Sequence, residues 1–121
     1  MLIVDDEATI LAALVRFFSR QGWIVSEASD GERALAILRS DAPKPDVIIC
    51  DLRMPNVSGA EVHACVVAER PALAGRFVFS TGDVVSGETQ EFLRQSGCAV
   101  MQKPFELKRL RDVADQIANR V

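Results

Sequence analysis

Residues 47–51 read VIICD, and this short stretch decides the fold of the chain. Its first four residues are apolar, three of them are β-branched, and no polar residue alternates with them. A strand of this kind is expected where helices cover both faces of a sheet, as they do in parallel sheets. The stretch ends in Asp51, and LRMPNVSG (52–59) then has the composition of a loop.

Apolar runs and amphipathic helices alternate on both sides of this strand. The other predicted strands are Leu2–Val4, Trp23–Val25, 76–80 and 99–101. Apolar positions at helical spacing predict five helices, with stripes over 10–18, 34–38, 60–68, 88–96 and 107–117. The second helix has Ser29 or Asp30 as its cap. This alternation predicts an α/β fold, a doubly wound five-stranded parallel sheet with helices on both faces.

Composition limits the class of protein. The chain has 121 residues, of which 49% are hydrophobic and 26% charged, as expected of one globular domain. A net charge of −3 gives no basic surface for nucleic acid. No apolar run or signal peptide indicates a membrane span or export, so we expect a cytoplasmic protein. The three cysteines lack metal-type spacing and are expected to be reduced and mostly buried.

Charged and hydroxyl side chains follow four of the predicted strands. They are Asp5 and Asp6 after strand 1, Asp51 after strand 3, Thr81 after strand 4 and Lys103 after strand 5. In parallel sheets the ligand lies beyond the carboxyl ends of the strands, so these side chains should meet. Three carboxylates need a counter-charge, and Mg²⁺ suits oxygen ligands of this kind. With the lysine and the threonine, they predict a site for a phosphoryl group.

Each of these residues also has an ordinary structural interpretation. Asp6 alone could be only the N-cap of the first helix, and Lys103-Pro104 could be an ordinary strand exit. His63 lies on a predicted helix with no second metal-ligand residue nearby, so we expect a partly exposed residue without a metal role.

Four ordered motifs resemble the receiver domain of two-component response regulators over essentially the whole chain. They are VDDE (4–7), DLRMP with SG (51–59), STG (80–82) and KPF (103–105). The resemblance implies one receiver domain over 1–121, with a flavodoxin-like sheet of strand order 2-1-3-4-5. It also implies a phosphorelay role, in which a phosphorylated aspartate signals by conformational change.

The resemblance implies specific roles for the acidic residues. Asp51 would accept the phosphoryl group from a phosphohistidine. Asp6 and Asp51 would bind Mg²⁺ directly, together with the backbone carbonyl of Arg53, while Asp5 would act through water.

It likewise implies roles for residues after strands 4 and 5. Thr81, the Gly82 amide and Lys103 would contact the phosphoryl group, and the peptide bond before Pro104 would be cis. The family usually has an aromatic residue where this chain has Val100, so the usual coupling of threonine and aromatic ring is not expected here in its ordinary form.

Two charged residues are predicted to flank the mouth of the site. Arg53 lies two residues beyond Asp51, and Asp83 lies two beyond Thr81. We hypothesise an ion pair between them that hinders attacking water and lengthens the lifetime of the phosphorylated state.

The resemblance also implies partners. A histidine kinase or a histidine phosphotransfer domain would supply the phosphoryl group, and a downstream protein would bind the surface of helix 4, strand 5 and helix 5 (88–96 and 105–118). We expect no nucleic-acid or membrane contact by this domain and no enzymatic activity beyond its own phosphotransfer and autodephosphorylation. Either a stand-alone receiver or a receiver from a longer chain is expected, with the hybrid histidine kinase type favoured.

Two other functions stay open at this point. A phosphorylation-independent pseudo-receiver would serve only as a binding module, although such modules typically lose the aspartates that this chain retains. A Mg²⁺-dependent phosphohydrolase would also place aspartates at strand ends, but the D-x-D-x-T pattern typical of one such class is missing.

Overall fold

The computed structural model describes residues 1–82 and 87–119, and its centre is a five-stranded parallel sheet. The strands are β1 (Leu2–Val4), β2 (Ser26–Ala28), β3 (Ile48–Asp51), β4 (Phe77–Thr81) and β5 (Ala99–Gln102). The helices are α1 (Ala8–Arg20), α2 (Gly31–Arg39), α3 (Gly59–Glu69), α4 (Gly87–Ser96) and α5 (Leu107–Ala118). The strand order is β2-β1-β3-β4-β5, so the predicted fold class and order are confirmed.

The sheet separates two hydrophobic cores, because successive side chains of a strand point to opposite faces. In β1, Leu2 and Val4 belong to the core that includes residues of α2 and α3. Ile3, between them, belongs to the core that includes residues of α1 and α5. In β3, Ile48 and Ile49 divide between the two cores in the same way. Burial on both faces explains why VIICD carries no polar alternation.

The prediction that Trp23–Val25 is the second strand was wrong. The strand is Ser26–Ala28, whose residues pair with β1 in parallel register. Trp23 and Val25 pack against the core beside α1, whereas the Ile24 side chain between them is 91% exposed. Three apolar residues in a row therefore mark the approach to β2, whereas the strand itself is mostly polar because it lies at the edge of the sheet.

Two features of the segment from α3 to β4 differ from expectation. His63 was predicted to be partly exposed, but it is buried, because it lies on the side of α3 that faces β4. Its ring packs edge-on against Phe77 and Phe79 at centroid distances of 5.0 and 5.6 Å. A short 3₁₀ helix, Pro71–Arg76, connects α3 to β4 and was not predicted.

Helix caps explain where several elements begin. The Asp30 carboxylate accepts a 2.8 Å hydrogen bond from the Arg33 amide, as predicted for the cap of α2. Ser58 caps α3 in the same way, through a 3.1 Å bond from the Glu61 amide. Among the described residues, no helix has the length and apolar character needed to cross a bilayer.

The three cysteines are reduced, as predicted, but they are less buried than expected. Cys50 is buried, whereas Cys65 and Cys98 are half-buried.

Candidate functional site

The carboxyl ends of the strands bring the predicted site residues to one edge of the sheet. Asp51 is the last residue of β3 and Thr81 the last of β4, while Asp5 directly follows β1 and Lys103 directly follows β5. The Lys103 amide donates a 2.8 Å hydrogen bond to the Thr81 carbonyl, which continues the β4–β5 pairing past its regular end. This extension fixes the backbone from which the Lys103 side chain reaches the site.

Three carboxylates converge at this edge. One oxygen from each of Asp5, Asp6 and Asp51 lies within 4.8 Å of the other two. Asp5 and Asp51 are buried and Asp6 is exposed. The Glu7 amide donates a 2.8 Å hydrogen bond to Oδ1 of Asp5, so the start of α1 holds that carboxylate in place.

The Lys103 ammonium lies among these carboxylates. Its Nζ atom donates hydrogen bonds to Oδ2 of Asp5 at 3.1 Å and to Oδ2 of Asp51 at 3.3 Å. Burial alone would lower the pKa of Lys103, but its hydrogen bond to Asp5 and the charges of Asp51 and Asp5 outweigh this effect and raise it. Lys103 is therefore a fixed positive charge in the site.

One ammonium does not compensate three carboxylates. Burial and then the charge of Asp5 raise the pKa of Asp51 to about 6, although Lys103 acts in the opposite direction. A hydrogen bond with Asp6 contributes to the rise. The site consequently favours either a proton or a further cation, and a set of hard carboxylate oxygens fits Mg²⁺.

The loop after β3 is held tightly against the site. The Gly59 amide donates a 2.9 Å hydrogen bond to the Leu52 carbonyl, which brings the start of α3 back to the end of β3. A Cβ atom at Gly59 would overlap the carbonyl oxygen of Asp51. Only glycine therefore permits this approach of α3 to the backbone of Asp51.

The remaining predicted site residues lie around this centre. Thr81 is buried at the end of β4, and Gly82 and Arg53 are exposed. The peptide bond between Lys103 and Pro104 is cis.

The predicted ion pair at the mouth of the site stays a prediction. Asp83 lies outside the described residues, so its relation to Arg53 is not seen.

The alternative role for Asp6 as the N-cap of α1 was wrong. Glu7 occupies that position, and its side chain makes no capping hydrogen bond. Asp6 is thus placed beside the carboxylates of Asp5 and Asp51 without being required to start the helix.

The ion pair between Glu7 and Lys103 was not predicted from the sequence. Oε1 of Glu7 lies 3.5 Å from Lys103 Nζ and forms a third ion pair with it. The sequence shows that Glu7 follows two aspartates, but the contact depends on how α1 starts, which spacing alone does not define.

Comparison with known proteins gives consistent matches. The sequence profile of the response regulator receiver domain matches residues 1–115. The transcriptional regulatory protein PdtaR of Mycobacterium tuberculosis is 33% identical over 91% of this chain and 52% of its own length. Sensor kinase CckA of Brucella abortus is 26% identical over 91% of this chain but only 11% of its own.

A solved structure shows the same similarity in three dimensions. A response regulator receiver protein from Pseudomonas putida superimposes with a TM-score of 0.84 and 27% identity, over 95% of this chain and 93% of its own. The chain thus spans nearly all of that receiver, but only about half of the curated relative PdtaR.

Proposed function

The chain belongs to the family of response regulator receiver domains of two-component signalling, and we propose that Asp51 is its phosphoacceptor. The observation that carries this proposal is the convergence of the Asp5, Asp6 and Asp51 carboxylates on the Lys103 ammonium at one edge of the sheet. A site with this distribution of charge can orient a phosphoryl group and neutralise it during transfer.

In the proposed transfer, a carboxylate oxygen of Asp51 attacks the phosphorus atom of a phosphohistidine. A phosphorus–oxygen bond forms, the phosphorus–nitrogen bond breaks, and the departing imidazole nitrogen takes up a proton. The product is an acyl phosphate, in which the Asp51 side chain has acted as a nucleophile. Only the ionised carboxylate can attack, so the raised pKa of Asp51 implies that protonation competes with the reaction near pH 6 when no cation is bound, and a bound Mg²⁺ would favour the ionised form.

We propose that the Asp6 and Asp51 carboxylates bind Mg²⁺ directly. The backbone carbonyl of Arg53 would be the third protein ligand, and Asp5 would act through water. The bound ion would neutralise charge on the phosphoryl oxygens. The raised pKa of Asp51 supports this assignment, because burial and then the charge of Asp5 disfavour the ionised carboxylate, which a bound cation would favour.

Residues at the ends of β4 and β5 would hold the transferred group. We assign Lys103 to an ion pair with it, the Thr81 hydroxyl to a hydrogen bond and the Gly82 amide to a second contact. The Nζ atom of Lys103 already lies 3.3 Å from Oδ2 of Asp51, and this short distance supports the proposed ion pair between Lys103 and the phosphoryl group.

The proposed donor is a histidine kinase or a histidine phosphotransfer domain. The similarity to sensor kinase CckA is consistent with a receiver of the hybrid kinase type, and the similarity to PdtaR with a response regulator. We propose that a downstream protein binds the surface of α4, β5 and α5, where the Val100 side chain on β5 is 40% exposed.

The decisive experiment measures intact-protein mass after incubation with acetyl phosphate, with and without Mg²⁺. Wild-type protein should gain one phosphoryl group only when Mg²⁺ is present, and Asp51→Asn should gain none. Asp41→Asn is the matched control, because Asp41 is an exposed aspartate in the loop before β3. This control should be phosphorylated like the wild type.

Three results would contradict the proposal. An equal adduct on Asp51→Asn would place the acceptor elsewhere. Continuous release of phosphate from an ester would indicate a phosphohydrolase. Absence of an adduct, together with absence of Mg²⁺ binding by calorimetry, would favour a phosphorylation-independent binding module.

A further inference from the structure

Glu7 differs from the other two carboxylates that pair with Lys103. The side chains of Asp5 and Asp51 are 2% and 7% exposed, whereas that of Glu7 is 60% exposed. Glu7 also lies farthest from the ammonium, with 3.5 Å between Oε1 and Nζ. It is therefore the partner at the solvent side of an otherwise buried cluster.

Lys103 does not need Glu7 to reach the site. Two of its three ammonium N–H groups are accounted for by the hydrogen bonds to Asp5 and Asp51. The Lys103 side chain is 16% exposed and that of Glu7 is 60% exposed, so Glu7 attracts the ammonium from the solvent side of the pair, where salt can screen the attraction. Glu7 thus pairs with an ammonium that Asp5 and Asp51 already hold in position.

The backbone of Glu7 is independent of this side-chain contact. Its amide donates to Asp5 Oδ1, which fixes the main chain beside the acidic cluster whatever side chain is present. The side chain makes no capping bond at the start of α1. Replacing the Glu7 carboxylate by a neutral amide should consequently leave the helix start and Asp5 in place.

We propose that Glu7 is a positioning residue that competes with the phosphoryl group for Lys103, an inference that rests on the proposed function. A phosphoryl group on Asp51 needs the ammonium, so Lys103 must weaken its contact with one carboxylate. Releasing exposed Glu7 costs least, because water can solvate it, whereas buried Asp5 would lose its cation. The Glu7 charge also repels an anionic phosphodonor as it approaches the mouth of the site.

The test compares rates of phosphorylation by acetyl phosphate at saturating Mg²⁺, followed by intact-protein mass. Glu7→Gln should react about two- to fivefold faster than the wild type, the range expected for a partly exposed ion pair. Glu7→Asp retains the charge and should react less than twofold faster. Glu106→Gln is the matched control, because Glu106 lies three residues beyond Lys103 and forms no ion pair with it in the described part of the chain.

Salt distinguishes this electrostatic role from a structural one. At about 1 M salt the screening length falls to about 3 Å, so the ratio of the Glu7→Gln rate to the wild-type rate should approach one. A ratio that persists in high salt would indicate a change of structure and overturn the inference.

The outcomes separate this inference from the proposed function. If the wild type forms the Asp51 adduct but Glu7→Gln reacts at the same rate or more slowly, competition by Glu7 is refuted and phosphoacceptance stands. An equal acceleration in Glu106→Gln would also refute it, since net charge alone would then explain the rate. If the wild type forms no adduct, both proposals fail together.

Discussion

The Lys103 Nζ atom lies 3.3 Å from Oδ2 of Asp51, although 52 positions separate the two residues in the sequence. Because the parallel strands β3 and β5 end at the same edge of the sheet, residues far apart in the chain meet there. The contact joins the proposed phosphoacceptor to the ammonium that would form an ion pair with the phosphoryl group on it.

Removing the Lys103 ammonium should destabilise the protein. Lys103→Ala would leave the buried carboxylates of Asp5 and Asp51 without their cation, and we expect the free energy of unfolding at pH 7 to fall by about 1–3 kcal/mol. Urea unfolding without Mg²⁺ measures the effect, and Lys108→Ala on the exposed side of α5 is the control. An equal loss in both variants would contradict the electrostatic explanation.

Asp51 should make the folded state less stable as the pH rises. Its pKa is about 6 in the folded protein against an ordinary 3.8, so the folded state retains a proton that the unfolded state has lost between these values. The free energy of unfolding contributed by this residue therefore decreases from about pH 4 to about pH 6 and is then constant.

Asp51→Asn should remove this dependence. Without Mg²⁺ the variant should be about 1–3 kcal/mol more stable than the wild type at pH 7, with the difference disappearing near pH 4. Chemical unfolding at several pH values measures this difference directly. A difference that is the same at pH 4 and pH 7 would show that the Asp51 charge is not its cause.

Mg²⁺ should stabilise the wild type more than variants that lack a proposed ligand. A ligand that binds only the folded state at 100 times its Kd contributes about 2.7 kcal/mol. Thermal unfolding should show a rise in Tm with Mg²⁺ that is strongly reduced in Asp6→Asn, since Asp6 lies in the carboxylate cluster. Glu32→Gln, an exposed acid on α2, should retain the full rise.

Gly59→Ala should damage both the fold and the site. The added Cβ atom would overlap the carbonyl oxygen of Asp51, so the start of α3 or the end of β3 must move. We expect a loss of about 1–3 kcal/mol in the free energy of unfolding and slower phosphorylation of Asp51. Gly75→Ala is the matched control, because a Cβ there has no neighbour within 4 Å. Equal behaviour of the two variants would disprove the packing argument.

His63→Ala should be among the more destabilising single substitutions. The ring is buried, packs edge-on against Phe77, Phe79 and Phe92, and its Nε2 atom lies 3.0 Å from the Ala74 carbonyl oxygen. Loss of this packing should cost about 2–4 kcal/mol by urea unfolding. Val67→Ala, at a largely exposed position of the same helix, should cost less than about 1 kcal/mol.

The sequence allowed the parallel sheet and most of the acidic site to be predicted for a physical reason, whereas the strand order came from the resemblance to receiver domains. Buried parallel strands are apolar throughout, so their ends can be recognised in the sequence. Residues at the carboxyl ends of these strands lie at the same edge of the sheet, and the proximity of Asp5, Asp51 and Lys103 could therefore be predicted. The predicted position of β2 was wrong because this strand lies at the edge of the sheet and has little apolar pattern of its own.

Features that depend on tertiary packing were not predictable in this way. A lone histidine on a helix gives no sign of the aromatic residues that bury it, as the case of His63 shows. The contact between Glu7 and Lys103 likewise depends on the direction in which α1 leaves β1, and no periodicity in the sequence reports that direction.

The alternation of side chains in β1 limits how this sequence can change in length. Leu2 and Val4 pack in one core and Ile3 packs in the other, so each position of the strand must face a particular side of the sheet. Inserting or deleting a single residue there would exchange the side chains of the two cores and turn the next carboxylate away from Lys103. Tolerance to added residues should therefore be confined to loops at the opposite edge of the sheet, such as 40–46 between α2 and β3.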